Sequence, residues 1–213
     1  MRKWFLLLAA TVLLAATGTA QQKTKVACVG NSITTGVGAQ DRANDAYPAV
    51  LGRLLGDRYE VRNFGASGYT LLKKGDRPFW NHKYFQESQA FAPDIVVIKL
   101  GTNDSKPQNW DTHAADFKAD LTELVAVYRK LPSKPKIYLC FPTWVANDKM
   151  TIREKVIAAE IIPIISEVAN ETGASVIDLH KTLYGMPGLV PDGVHPNELG
   201  YVLIAKDVYD RIK

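Results

Sequence analysis

Residues 94–104 read DIVVIKLGTND. Ile95, Val96, Val97 and Ile98 form an unbroken β-branched run with no polar face, the pattern of a parallel strand covered on both sides. Gly101-Thr102-Asn103-Asp104 closes it in turn chemistry. The same arrangement recurs upstream, where Lys25–Val29 runs into Gly30-Asn31-Ser32 and Tyr59–Phe64 runs into Gly65. Downstream, Lys136–Phe141 and Ser175–Leu179 read as two more strands.

Helical patterns fill the intervals. One covers about Ala46 to Leu55, stopped by Gly56. In a second, Phe117, Leu121, Leu124, Val125 and Tyr128 share a face, with Asp111 or Thr112 as its cap. A third runs from about Ile152 to Glu171 with a kink at Pro163. The last follows an Asn197 cap and turns Tyr201, Ile204, Ala205, Val208 and Ile212 inward. Five such βα steps predict a three-layer α/β/α sandwich on a five-stranded parallel sheet, in the flavodoxin-like order 2-1-3-4-5. Residues 21–213 read as one domain, without repeats or linkers.

In a sheet of this kind ligands bind at the carboxyl ends of the strands. Ser32, Gly65 and Asn103 each follow a strand, and Asp192-Gly193-Val194-His195 lies beyond the fifth. A hydroxyl needs a neighbouring base to attack, and His195 with Asp192 behind it supplies one. The amides of Ser32 and Gly65 and the carboxamide of Asn103 offer three donors for a developing oxyanion. Each segment alone also reads as an ordinary turn. Neighbouring motifs fit other chemistries less well. Gly65-Ala66-Ser67-Gly68 lacks the G-x-S-x-G spacing of a nucleophile elbow, and Gly30 to Gly38 lacks the Lys of a phosphate loop. No His/Cys cluster has zinc-ligand spacing, so no metal is expected.

Taken in order, these blocks resemble the SGNH (GDSL-type) esterases and acylhydrolases over about Lys25 to Arg211. The resemblance implies Ser32 as nucleophile, Gly65 and Asn103 as oxyanion donors, Asp192 and His195 as acid and base, the flavodoxin-like sandwich, and independence from cofactors. One position departs from the family pattern: Asn31 stands where Asp is usual, which leaves any electrostatic role of that Asp open. Residues 101–110, GTNDSKPQNW, are similar to the exported bacterial carbohydrate O-acetylesterases, sialate-type members included. A small acyl ester on a sugar or polysaccharide is therefore the expected substrate. A lysophospholipase or short-chain thioesterase is the alternative within the family; a flavin-binding protein or a silent carbohydrate-binding domain stands outside it. Tyr47, Trp80, Trp110 and Trp144 fall on or near the expected rim loops, where they could stack on sugar rings or simply pack the core.

Bulk properties bound these readings. Arg2 and Lys3 followed by the apolar run Trp4 to Leu14 and small residues to Ala20 read as a signal peptide over residues 1–20, too short to span a bilayer. That predicts a periplasmic or extracellular protein, bacterial in kind, with no stable membrane anchor. The net charge of the 213-residue chain is +4, and falls to +2 without Arg2 and Lys3. With no basic run left, nucleic acid is not an expected partner. Cys28 and Cys140 sit in separate strands with another between them, which predicts buried free thiols.

Overall fold

A computed structural model describes residues 22–213; the signal-peptide expectation lies outside the described residues. β1 (Thr24–Gly30), β2 (Tyr59–Gly65), β3 (Ile95–Lys99), β4 (Lys136–Cys140) and β5 (Ser175–Ile177) form one parallel sheet in the order β2-β1-β3-β4-β5. β3 is central and buried along its whole length, as its unbroken apolar run requires.

Side-chain alternation along the strands separates two cores. Ala27, Val29, Val96, Ile98, Ile137 and Leu139 face one layer, packed beneath the Phe117–Arg129 and Ile162–Thr172 helices. Val26, Cys28, Ile95, Val97 and Cys140 face the other, beneath the Tyr47–Leu55 and Glu198–Ile212 helices. Asn197 caps the last helix by accepting from the Gly200 N–H at 3.0 Å, and Tyr201, Ile204, Ala205, Val208 and Ile212 are buried. Cys28 and Cys140 are free and buried, with β3 between them. Burial pushes the Cys28 thiol up to about 12 and raises Cys140 as well, so neither is a thiolate at neutral pH. None of the described helices is long and apolar enough to cross a membrane.

Two local expectations are corrected. The fifth strand stops at Ile177 because Asp178 turns to cap the Leu179–Leu183 helix, accepting from the Lys181 N–H. The helix expected to start at Asp111 or Thr112 is broken in two. Pro107–His113 forms its own helix, and a 3₁₀ turn (Ala114–Asp116) leads into Phe117–Arg129. Asp111 instead pairs with Arg153 at 2.6 Å. Near Pro163 the chain forms a π-turn over Ile157–Ile161, with Ile162 N–H donating to Ile157 O. The proline has no N–H to continue the ladder, and the wider turn absorbs the mismatch.

Lys99 is the costly residue of this core. It pairs in register with Gly30, lies on the face of Val97 and Cys140, and is fully buried with no acceptor for Nζ among the described residues. Burial pulls its pKa down to about 7. A lysine titrating lower in the folded than in the unfolded chain makes stability fall as pH drops from about 10 towards 7. Lys99→Met should therefore raise the Tm, by about 1–3 kcal/mol of stability at neutral pH, with the gain over wild type shrinking as pH is raised to 10. Melting curves across that range check it, and a pH-independent difference would overturn the assignment.

Candidate active site

Asn31 starts the site. Its backbone is extended and its Oδ1 accepts from the Ile33 N–H at 3.1 Å, capping the short Ser32–Thr35 helix that leaves β1. Asn and Asp are equivalent in that capping role, so the amide fulfils the structural part of a carboxylate here. Its Nδ2 is buried without a partner among the described residues. Ser32 is the first helical residue, so its own N–H has no intrahelical acceptor.

From the other end of the chain, the Asp192–His195 turn folds back on itself. Asp192 Oδ1 accepts from the Val194 and His195 N–H groups at 2.9 and 2.7 Å, while Oδ2 lies 2.7 Å from His195 Nδ1. Gly193 at φ +90° allows this reversal, and a β-carbon there would run into the Asn147 side chain. Burial pushes the Asp192 carboxyl up, but the bonds from His195 and Val194 outweigh it, and the net shift is downward. His195 Nε2 then lies 2.8 Å from Ser32 Oγ. A carboxylate at Nδ1 leaves the Nε2 lone pair free to accept the serine proton. Both Ser32 and His195 are buried.

Asn103 opens a 3₁₀ turn, Asn103–Ser105, beyond β3. Its Nδ2 donates to Tyr69 O at 3.0 Å, so one carboxamide hydrogen is held by the neighbouring loop. Asp104 beside it is fully buried and accepts from the Leu71 and Leu72 N–H groups at 3.1 and 2.8 Å. Burial raises Asp104 to about 6, against the pull of these amides. The turn after β3 and the loop after β2 thus form a single wall. Together Ser32, Ser67, Gly68, Asn103, Lys106, Met150, Ile152 and His195 line a cleft of about 160 Å³. Among the described residues no cluster of His, Cys, Asp or Glu is arranged to hold a metal ion.

Of the expected site residues, Ser32, His195, Asp192 and Asn103 are brought together and Gly65 is not. The Gly65 N–H donates to Asn63 Oδ1 at 2.8 Å and is unavailable to a substrate. Gly65 is required by packing: a β-carbon on it would lie 2.3 Å from Thr35 N and 2.7 Å from Thr34 C. Gly68, three residues on, lines the cleft instead, at φ +86°. The signal in the sequence was the second glycine of Gly65-Ala66-Ser67-Gly68, placed in a turn rather than at a strand end.

The four aromatic residues expected at the rim do not line the cleft. Tyr47 is fully buried with its hydroxyl near Thr34 Oγ1 at 3.5 Å. Trp110 is buried against Phe117, its Nε1 donating to Glu160. Trp80 donates to Leu71 O and carries the Lys73 ammonium over its ring. Trp144 packs on Tyr184. The indole N–H groups of Trp80 and Trp110 each find an acceptor while their rings pack on the core.

Residues 28–203 match the model of the GDSL-like Lipase/Acylhydrolase family. The chain is 43% identical over 207 residues to an acetylxylan esterase of Xylanibacter ruminicola, covering 89% of this chain and 43% of that one. It is 25% identical over 167 residues to a multidomain esterase of Ruminococcus flavefaciens, covering 73% and 21%. The chain therefore spans less than half the length of these two curated relatives. A crystal structure of a carbohydrate acetylesterase family member from Sinorhizobium meliloti superposes with a TM-score of 0.72 at 23% identity, over 88% of this chain and 96% of that one. That likeness speaks for the fold.

The packing role of Gly65 has a direct test. Gly65→Ala should lower stability by roughly 1–3 kcal/mol, because its new methyl meets backbone rather than a movable side chain. An unchanged Tm would overturn the packing role.

Proposed function

The chain belongs to the GDSL-like lipase/acylhydrolase family, and on that footing we propose that it is a serine esterase that removes small acyl groups, chiefly acetyl, from a carbohydrate. The observation that carries this reading is the 2.8 Å contact between Ser32 Oγ and His195 Nε2, with Asp192 at the far ring nitrogen. His195 takes the Ser32 proton as the oxygen attacks the ester carbonyl, and the Asp192 carboxylate stabilises the resulting imidazolium. The oxyanion meets the Ser32 amide, the Gly68 amide and the free Asn103 carboxamide hydrogen, donors fixed before the reaction begins. Gly68 takes the place first assigned to Gly65. His195 then protonates the departing sugar hydroxyl, and later activates the water that releases acetate.

The acyl preference rests on size. A cleft of about 160 Å³, lined by Ile152 and Met150 among others, has room for an acetyl group beside Ser32. The relative from Xylanibacter ruminicola, described as an acetylxylan esterase, supports a plant-type polysaccharide as the alcohol. The N-terminal leader pattern supports an exported enzyme, periplasmic or extracellular, that meets polymers too large to enter a cell.

Ser32→Ala should lower kcat by roughly 10⁴-fold or more, and Asn103→Ala by roughly 10²–10³-fold, both measured on p-nitrophenyl acetate. Across acetyl, butyryl and octanoyl esters of p-nitrophenol, kcat/KM should fall. A steady rise with chain length would reject the acetyl preference in favour of a lysophospholipase or thioesterase.

A further inference from the structure

Beside Gly68 and Asn103 lie two cations that have no ion-pair partner among the described residues. Lys106 is half-buried and lines the cleft. Arg77 is exposed and lies over Gly68: a β-carbon on that glycine would sit 3.4 Å from Arg77 Nη1. Other basic residues of the same wall are spoken for. Lys73 pairs with Glu123, Lys74 with Asp116 and Arg153 with Asp111. Among the described residues, neither the Arg77 guanidinium nor the Lys106 ammonium has a hydrogen-bonding or ion-pair partner.

The acid nearest in sequence is engaged elsewhere. Asp76 Oδ1 and Oδ2 accept from Asn109 Nδ2 and Gln108 Nε2, both at 3.1 Å. Asn109 is fully buried, accepts from the Asp76 N–H at 2.8 Å, and donates to Asn103 O at 2.9 Å. Through this one amide the Arg77 loop is fastened to the turn that carries Asn103 and Lys106. The Arg77 backbone carbonyl is also held, by the Thr70 N–H and hydroxyl. The chain thus fixes the bases of both cations against the cleft and leaves their charged ends free.

We propose that Arg77 and Lys106 form an anion subsite for the alcohol portion of the substrate, and that the preferred ester is borne by a sugar chain with a carboxylate close to the acetyl group, as in an acetylated uronic-acid-containing glycan. This rests on the reading of the protein as a carbohydrate acetylesterase. An Arg fork suits a planar carboxylate, and a Lys adds a point charge beside it. Being open to water, the pair acts mainly as a screened electrostatic clamp, so its effect is modest and salt-sensitive.

The test measures acetate release from acetylated xylo-oligosaccharides with and without a glucuronic acid branch. Wild-type kcat/KM should favour the acidic substrate. The double variant Arg77→Gln, Lys106→Gln should lower the acidic-to-neutral ratio about five-fold, and Arg77→Lys alone should retain most of it. Raising NaCl from about 0.05 to about 0.5 M should shrink the wild-type ratio without any substitution. A wild-type ratio near one, unmoved by salt or by the double variant, would overturn the anion subsite while leaving the acetylesterase reading intact. Hydrolysis of p-nitrophenyl acetate with no release from either oligosaccharide would overturn both.

Discussion

Everything at the site depends on the contact between Ser32 Oγ and His195 Nε2, which joins residues 163 positions apart. One such hydrogen bond contributes only about 1 kcal/mol, far too little to hold two chain segments together. The alignment is carried by what surrounds it. The Tyr201 hydroxyl donates to Val37 O at 2.5 Å, and the Gln40 N–H donates to the Glu198 carboxylate at 2.9 Å. Gly38 approaches so closely that a β-carbon would lie 2.4 Å from Pro196 O. The loop after Ser32 is thereby pressed onto the start of the final helix, and buried Tyr201 anchors that helix in the core. The reactive geometry is a by-product of how the first and last elements dock.

The opposite wall follows another logic. It is made of polar groups withdrawn from water, and its cohesion comes from satisfying them. Asp104 reaches two backbone amides across the loop after β2, and Asn109 meets Asp76 and Asn103 at once. A buried carboxylate or carboxamide is costly when unpaired and rigid when fully paired, so such a network fixes one arrangement of the loops. Rigidity of that kind holds Gly68 and Asn103 in place where they line the cleft.

Much of this was legible in the sequence. Unbroken apolar runs such as Ile95–Ile98 mark covered parallel strands, and their spacing leaves few topologies, so the strand order could be anticipated. The Asn197 cap and the inward face from Tyr201 to Ile212 follow from helical periodicity alone. Asp192 and His195 are close in sequence, and the turn between them needs only Gly193. What could not be read was contact between loops. Gly65 and Gly68 look alike until Thr35 is seen against one and the cleft against the other. Tyr47, Trp80, Trp110 and Trp144 carry no periodic signal that separates rim from core. The strand ending at Ile177 rather than Leu179 turned on whether Asp178 would cap a helix, a choice made by tertiary packing.

The distance along the chain between the hydroxyl and its imidazole has a consequence for biosynthesis. At ribosomal speeds of about 5–20 residues per second, the segment separating them takes roughly ten to thirty seconds to emerge. Throughout that interval the nascent polypeptide bears an ordinary alcohol with no proton acceptor. The Ser32–His195 contact can form only once residue 195 has emerged, so any product released before that point lacks the partner imidazole.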